Sequence, residues 1–307
     1  MKVGVIDLGS NTIRLVIYIW DGIKLEKIHN IKRYAQSIKF VHQGKMDQDG
    51  MDVIVQTLKE LMMIARIHET QQLNIFATAS LRNIENSQET KKYIENLIQH
   101  PIEILDGLDE SLYGFEGIKR NIDLPGDGLS IDIGGGSTEL TYFKKNLAIH
   151  MISIPFGSLN LGLKCVSDVL PTIAEENQMR NIIREQIDKI EWLSHVRTNS
   201  VIGIGGSVRA IMKLQQAIEK QKDSIYHMQL SAHDVHRISQ SYQKDSIGFS
   251  KLILQVVPDR LQTVIPGALI IDEIMNKINA QQLNVSSYGL REGFLFTRVL
   301  NAKVSYD

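Results

Sequence analysis

The sequence predicts an α/β protein of two related domains, each opening with a strand–turn–strand hairpin that contributes to a shared central cleft. First, Ile6-Asp7-Leu8-Gly9-Ser10-Asn11-Thr12-Ile13-Arg14-Leu15 and Ile131-Asp132-Ile133-Gly134-Gly135-Gly136-Ser137-Thr138-Glu139-Leu140 align without a gap, with Asp, Gly, Thr/Ser and Leu at the same offsets. Second, each copy follows one apolar strand and precedes another. Third, three-strand meanders alternate with strand–helix units, which implies a mixed sheet faced by helices in each half. Self-similarity at so long a period is not that of a solenoid and points to two related domains. The boundary is placed in the turn-rich stretch Arg120–Asp127, giving domains 1–124 and 125–307.

In order, Val3–Asp7 reads as a buried strand and Ile13–Trp20 as a second, rich in β-branched residues. Asp21-Gly22 is a tight-turn signal, followed by a strand near Lys24–Ile31. Apolar residues at helical spacing (Val53, Ile54, Leu58, Leu61, Met62) mark a helix over Asp52–Arg66. A strand at Leu73–Ala77, a helix over Gln88–Gln99, a strand at Ile102–Leu105 and a helix after Asp106-Gly107 complete the first half. The second half repeats the pattern with strands Leu129–Asp132, Thr138–Phe143 and Ala148–Ile154, then a helical region over Thr172–Leu193. Strand Ser200–Ile204 runs into Gly205-Gly206, which opens another helix. Helices at Ala232–Tyr242, Ser250–Val256 and Gly267–Ile278, a strand near Asn284–Ser286 and a helix from Arg291 follow.

Bulk properties exclude several classes. The 307 residues leave room for two domains with their own cores. Hydrophobic content of 43% and charged content of 22% are those of a soluble globular protein. A formal net charge of -1 offers no basic field for nucleic acid, so a polyanion must be held by local charge. Cys165 is the single cysteine, which excludes an internal disulfide and any multi-cysteine zinc site. No apolar run approaches the ~20 residues of a membrane span, and Met1-Lys2 leads directly into a strand, so a cytoplasmic protein is expected.

The glycine turns carry the chemistry. Glycines let backbone amides approach a ligand closely, and successive amides pointing into one concavity make an anion nest suited to phosphate. The Ser137 and Thr138 hydroxyls add donors. Asp132 and Glu139 would repel a bare phosphate; they make sense with a hard divalent cation between them and the phosphate oxygens. The expected pair is therefore Mg2+ and a phosphorylated substrate. A glycine-rich turn taken alone is also explained by bulged-hairpin geometry, so the argument rests on the matched pair.

With these residues in view, the chain resembles the Ppx/GppA family of exopolyphosphatases and guanosine pentaphosphate phosphohydrolases, over essentially its whole length. Asp7–Leu15 is similar to the family's opening phrase, Ala77–Arg82 with Asn86 to its second block, and Asp132–Leu140 to its most recognisable block. Gly203–Arg209, Val264–Ala268 and Gly289–Gly293 resemble later ones. The resemblance implies two actin-like domains of the ribonuclease H-like type (the ASKHA superfamily). It also implies hydrolysis of terminal phosphoanhydrides, with a glutamate as general base on water and magnesium on the phosphate. That glutamate falls in Ile104–Phe115, where Glu110 is the candidate and Asp109 the alternative. The substrate phosphates are assigned to Gly9, Ser10, Asn11, Thr12, Arg14, Arg82, Gly134, Gly135, Gly136, Ser137 and Thr138. The metal is assigned to Asp132 and Glu139, with Asp7 reaching it through water.

Two departures stand out. The acidic run around Glu110 is thinner than the family's, with Ser111 where an alanine is usual, and Asn160 stands where an arginine often follows the Ser-x-Pro-x-Gly phrase. The resemblance implies that the substrate is polyphosphate or a guanosine polyphosphate, and no nucleic-acid or membrane partner is expected; oligomeric state stays open, a homodimer included. Two other functions compete with the hydrolase: a non-hydrolytic binder of guanosine polyphosphates or nucleotides, and a small-molecule kinase of the same superfamily.

Overall fold

Apolar alternation at the start of the chain gives an antiparallel meander, β1 (Lys2–Leu8), β2 (Ile13–Trp20) and β3 (Leu25–Arg33). The structure, a computed structural model, describes residues 1–300; residues 301–307, where the second expected domain ends, lie outside them. The β2–β3 turn is the Asp21-Gly22 turn, with Gly22 at φ +106° and the Asp21 carboxylate accepting from the amides of Ile23 (2.8 Å) and Lys24 (2.7 Å). A 3₁₀ turn at Ser37–Phe40 leads into a small hairpin, β4 (Val41–His42) and β5 (Lys45–Met46), that no sequence signal announced. Helix α1 (Gln48–Ile67) starts at Asp47, whose carboxylate caps the Gly50 amide at 2.8 Å. It buries Ile54, Leu58, Leu61 and Ala65 at helical spacing. Then come β6 (Gln72–Ala77), α2 (Ala79–Arg82), α3 (Ser87–Ile98), β7 (Glu103–Ile104) and α4 (Gly107–Lys119). The sheet order is β3-β2-β1-β6-β7, antiparallel on the meander side and parallel from β1 through β6 to β7.

The second sheet starts at β8 (Asp127–Ile133), followed by β9 (Thr138–Lys144) and β10 (Leu147–Ile154). The β9–β10 connection puts Lys145 and Asn146 both at positive φ (46° and 64°), as a primed hairpin turn requires. Next are α5 (Ser158–Cys165), α6 (Ile173–Asp188), β11 (Ser200–Ile204), α7 (Gly205–Ile218), β12 (Gln229–Ser231) and α8 (Ala232–Lys244). Then follow α9 (Ser246–Val256), α10 (Val264–Ile278), β13 (Gln282–Val285) and α11 (Leu290–Phe294), which continues into a π-helical turn over Leu295–Val299. The order β10-β9-β8-β11-β13-β12 repeats the first sheet and adds one antiparallel edge strand, β12. The helical region expected over Thr172–Leu193 is made of two pieces: α6 stops at Asp188, Ile190 turns extended to enter the core, and a 3₁₀ turn covers Glu191–His195.

The chain falls into two units, Met1–Glu110 with the segment from Phe294, and Ser111–Gly293. Each has its own core, around Ile6, Leu15, Ile54 and Leu58 in one and Leu129, Ile131, Val208 and Leu269 in the other. In the second unit α6, α8 and α10 are joined by a buried polar cluster. Arg180 donates to Glu176 (2.9 Å), Asp272 (2.7 Å) and Glu273 (2.6 Å), and the Tyr242 hydroxyl donates to Glu176 at 2.5 Å. Buried charges are tolerated where, as here, hydrogen bonds satisfy them. No described helix is long and apolar enough to cross a membrane.

Candidate functional site

Both glycine turns lie at the C-terminal end of a strand that is antiparallel to one neighbour and parallel to the other, the edge where open α/β sheets bind ligands. They share one geometry. The Gly9 amide donates to the Thr12 carbonyl at 3.1 Å, and the Gly134 amide donates to the Ser137 carbonyl at 3.0 Å.

In the second turn every carbonyl from Ile133 to Gly136 is engaged from outside. Gly134 O accepts from Ser158 N (3.0 Å) and Ser158 Oγ (3.2 Å). Gly135 O accepts from the amides of Leu159 (3.1 Å) and Asn160 (3.0 Å), and Gly136 O from Asn160 Nδ2 (3.2 Å). Ile133 O accepts from Ser207 Oγ at 3.3 Å. A trans peptide points its N–H opposite to its C=O, so the amides of Gly135, Gly136 and Ser137 are turned away from α5. Among the described residues these three donate no hydrogen bond, although Gly136 and Ser137 are buried. Unpaired amides arrayed on one side of a turn make an anion cradle. The first turn follows the same plan: Asn11 O accepts from Gln36 N (3.0 Å) and Ser10 O from Ile38 N (3.4 Å) and Ser37 Oγ (3.3 Å). The amides of Asn11 and Thr12 are turned the other way. Thr138, expected to offer its hydroxyl to the anion, donates it to Phe156 O at 2.8 Å.

The hairpins differ in what they hold beside the turn. Asp132 and Glu139 are register partners across β8 and β9, so both carboxylates stand on one face. Glu139 is buried and accepts from Ser153 Oγ at 2.8 Å. Two adjacent hard oxygen donors next to an anion cradle fit Mg2+, which commonly takes one or two carboxylates and completes its shell with water and phosphate. Among the described residues no group of three or more His, Cys, Asp or Glu is arranged as a complete protein cage. In the first hairpin the matching pair is Asp7 and Arg14.

Arg82 and Glu110, 28 residues apart, are brought into a buried ion pair. Arg82 Nη1 also donates to Leu105 O at 3.1 Å, and Nε to Asn83 Oδ1 at 3.3 Å. Glu110 is only 6% exposed, on the first turn of α4, while Asp106 caps that helix through the amides of Leu108 (2.8 Å) and Asp109 (2.7 Å). Burial and the neighbouring Asp106 charge push the Asp109 carboxyl above its ordinary pKa. Arg82 orients Glu110; no hydrogen bond of the described structure orients the Asp109 carboxylate in this way.

A model of the Ppx/GppA phosphatase family matches residues 21–302. The chain belongs to that family. It is 23% identical over 306 residues to exopolyphosphatase 1 of Mycobacterium tuberculosis, covering 97% of this chain and 88% of that one. To the guanosine-5'-triphosphate,3'-diphosphate pyrophosphatase of Pseudoalteromonas translucida it is 25% identical over 303 residues, covering 95% of this chain and 58% of that longer one. The crystal structure of an exopolyphosphatase from Cytophaga hutchinsonii superposes with a TM-score of 0.88 at 23% identity, covering 99% of each chain. The actin-like, ribonuclease H-like architecture expected of a Ppx/GppA chain is present in both units as the repeated meander-plus-parallel sheet.

Set against the family blocks, Asn86 proves structural: its amide exchanges hydrogen bonds with Met46 N and O, both 2.9 Å, and pins β5 to the start of α3. Sequence reasoning missed the part played by Gly157, Ser158, Asn160 and Ser207 around the second turn. The available signal was Gly157 followed three residues later by Asn160, a helix start in which the Asn side chain accepts from the Gly157 amide at 2.7 Å.

Proposed function

We propose that this chain hydrolyses terminal phosphoanhydride bonds of inorganic polyphosphate or guanosine pentaphosphate, using water activated by Glu110 in the presence of Mg2+. The observation that carries the proposal is the second turn, whose carbonyls are all engaged while the Gly135, Gly136 and Ser137 amides are left to receive an anion. In-line phosphoryl transfer to water needs positioning and charge neutralisation more than covalent chemistry. The cradle amides, with those of Asn11 and Thr12, hold phosphoryl oxygens in this reading. Arg14 and Arg82 add guanidinium donors, whose planar fork suits phosphate. Arg82 Nη2 makes no hydrogen bond among the described residues, so one guanidinium can orient Glu110 through Nη1 and meet a phosphate oxygen through Nη2. Glu110 takes the proton of the attacking water as general base in this reading, held in place by Arg82. Asp132 and Glu139 would hold Mg2+, with Asp7 reaching it through water. When bound, the ion neutralises charge on the phosphate oxygens.

The test is a phosphate-release assay on purified protein with polyphosphate and guanosine pentaphosphate, each with and without Mg2+. Magnesium-dependent release from either substrate is expected. Ligand binding without release would instead make the protein a binder, and phosphorylation of an acceptor by ATP would make it a kinase.

A further inference from the structure

Three consecutive glycines make a loose cradle, because each has a wide choice of backbone conformations and the peptide planes between them can rotate. Something outside the turn must hold the amides on one side. The contacts to Gly134 and Gly135 come mainly from the backbone at the start of α5, a supply that any sequence folding as a helix there would give. The Gly136 carbonyl is different, since it is held by a side chain, Asn160 Nδ2 at 3.2 Å. The same amide group accepts from Gly157 N at 2.7 Å through Oδ1, and so ties the helix start to the last glycine of the turn.

We propose that Asn160 is a positioning residue of the phosphate cradle: it holds the Gly136–Ser137 peptide with its carbonyl toward α5, and so aims the Ser137 amide at the anion. This rests on reading the Gly134–Ser137 turn as the phosphate site. Where arginine occupies this place in relatives it brings positive charge; in this chain a neutral donor–acceptor does a separate task. Arginine has no acceptor to take the Gly157 amide, and a cation in the first turn of α5 opposes the helix dipole. Asparagine is therefore not a weakened arginine but a different device at the same place. Two buried hydroxyls complete the clasp, Ser207 Oγ lying 3.3 Å from both Ile133 O and Ser158 Oγ.

The test is calorimetric titration of the full chain with inorganic phosphate and Mg2+, with polyphosphate hydrolysis and melting temperature measured beside it. The variants are Asn160→Ala, Asn160→Asp and Asn160→Arg. Asn160→Asp keeps the acceptor for Gly157 N and so keeps the helix start, but replaces the donor to Gly136 O with a second acceptor. All three are expected to weaken phosphate binding by about 10-fold or more, the scale of one lost hydrogen bond to a charged group. Tighter phosphate binding by Asn160→Arg would show a direct charge contact and overturn the proposal. Wild-type affinity in Asn160→Asp and Asn160→Ala, or no phosphate binding by the wild type, would overturn it equally. Phosphate binding that responds to Asn160 in a protein that never hydrolyses polyphosphate would leave the cradle standing and remove only the hydrolase reading.

Discussion

Gly157 offers a sharp perturbation because its backbone (φ −133°, ψ −174°) is open to any residue, so the glycine is there for space alone. A Cβ at this position would lie 2.5 Å from Gly134 O, 2.7 Å from Gly135 C and 2.8 Å from Gly136 N. All three are backbone atoms of the cradle, so no side chain can swing aside to relieve them. Restoring ordinary contact requires the turn and α5 to part by roughly 0.5–1 Å, and overpacking of this kind costs about 1–3 kcal/mol. For a unit of this size that lowers the melting temperature by about 2–4 °C per kcal/mol. Displacement of the cradle by a fraction of an ångström to 1 Å is expected to reduce kcat/KM by up to about 100-fold, the scale of a misplaced binding group. The assay is steady-state phosphate release from polyphosphate by Gly157→Ala, at a temperature where circular dichroism shows it fully folded. Wild-type kcat/KM from folded Gly157→Ala would refute the reasoning that α5 sets the shape of the site.

Arg82→Leu removes the guanidinium that pairs with the 6%-exposed Glu110, so thermal or urea unfolding should show a clear loss of stability, of about 1 kcal/mol or more. The double variant Arg82→Leu/Glu110→Leu should recover most of that stability while remaining inactive; equal instability in both would locate the cost elsewhere. In the second unit, burial and the adjoining Glu176 carboxylate hold the Tyr242 hydroxyl above the usual phenol range. A folded-state pKa raised above the unfolded one gives stability that is complete below pH about 10 and lost as the pH rises beyond it. Unfolding free energies measured from pH 8 to 11 should therefore fall less steeply for Tyr242→Phe than for wild type.

Local chemistry made much of the fold legible. The two hairpins were readable because their apolar alternation, turn lengths and aspartates coincide, and the register pairs Asp7–Arg14 and Asp132–Glu139 occupy matching places. Some helix starts with a side-chain cap were readable too, as at Thr172, which caps the Glu175 amide at 3.2 Å, whereas the starts capped by Asp47 and Asp245 lie ahead of Asp52 and Ser250, where the apolar pattern begins α1 and α9. What escaped was set by packing at a distance. Helix α5 spans only Ser158–Cys165, too short for a periodic apolar face, and it forms where the turn carbonyls need donors. Strand β12, Gln229–Ser231, is a three-residue edge that exists because β13 offers it a partner, and β13 itself starts two residues before the stretch its apolar pattern marks. In the site, family resemblance pointed to Arg82 and Glu110 separately. Their pairing, and the use of the Thr138 hydroxyl by Phe156 O, depend on how distant strands end and no spacing records them. The Gly157-x-x-Asn160 spacing could have marked Asn160 as a helix-start residue, but its bond to Gly136 O runs to a backbone atom whose position the fold alone determines.

The most direct test of the account replaces the acidic hydrogen-bond partner of Arg82 with its neutral isostere. Glu110→Gln keeps the size of the side chain and an oxygen to accept from Arg82, yet cannot take a proton from water. Magnesium-dependent polyphosphate binding, measured by calorimetry, should stay within a few-fold of wild type while phosphate release falls by about two orders of magnitude or more, as suits the loss of a general base. Turnover unchanged in Glu110→Gln would contradict the account.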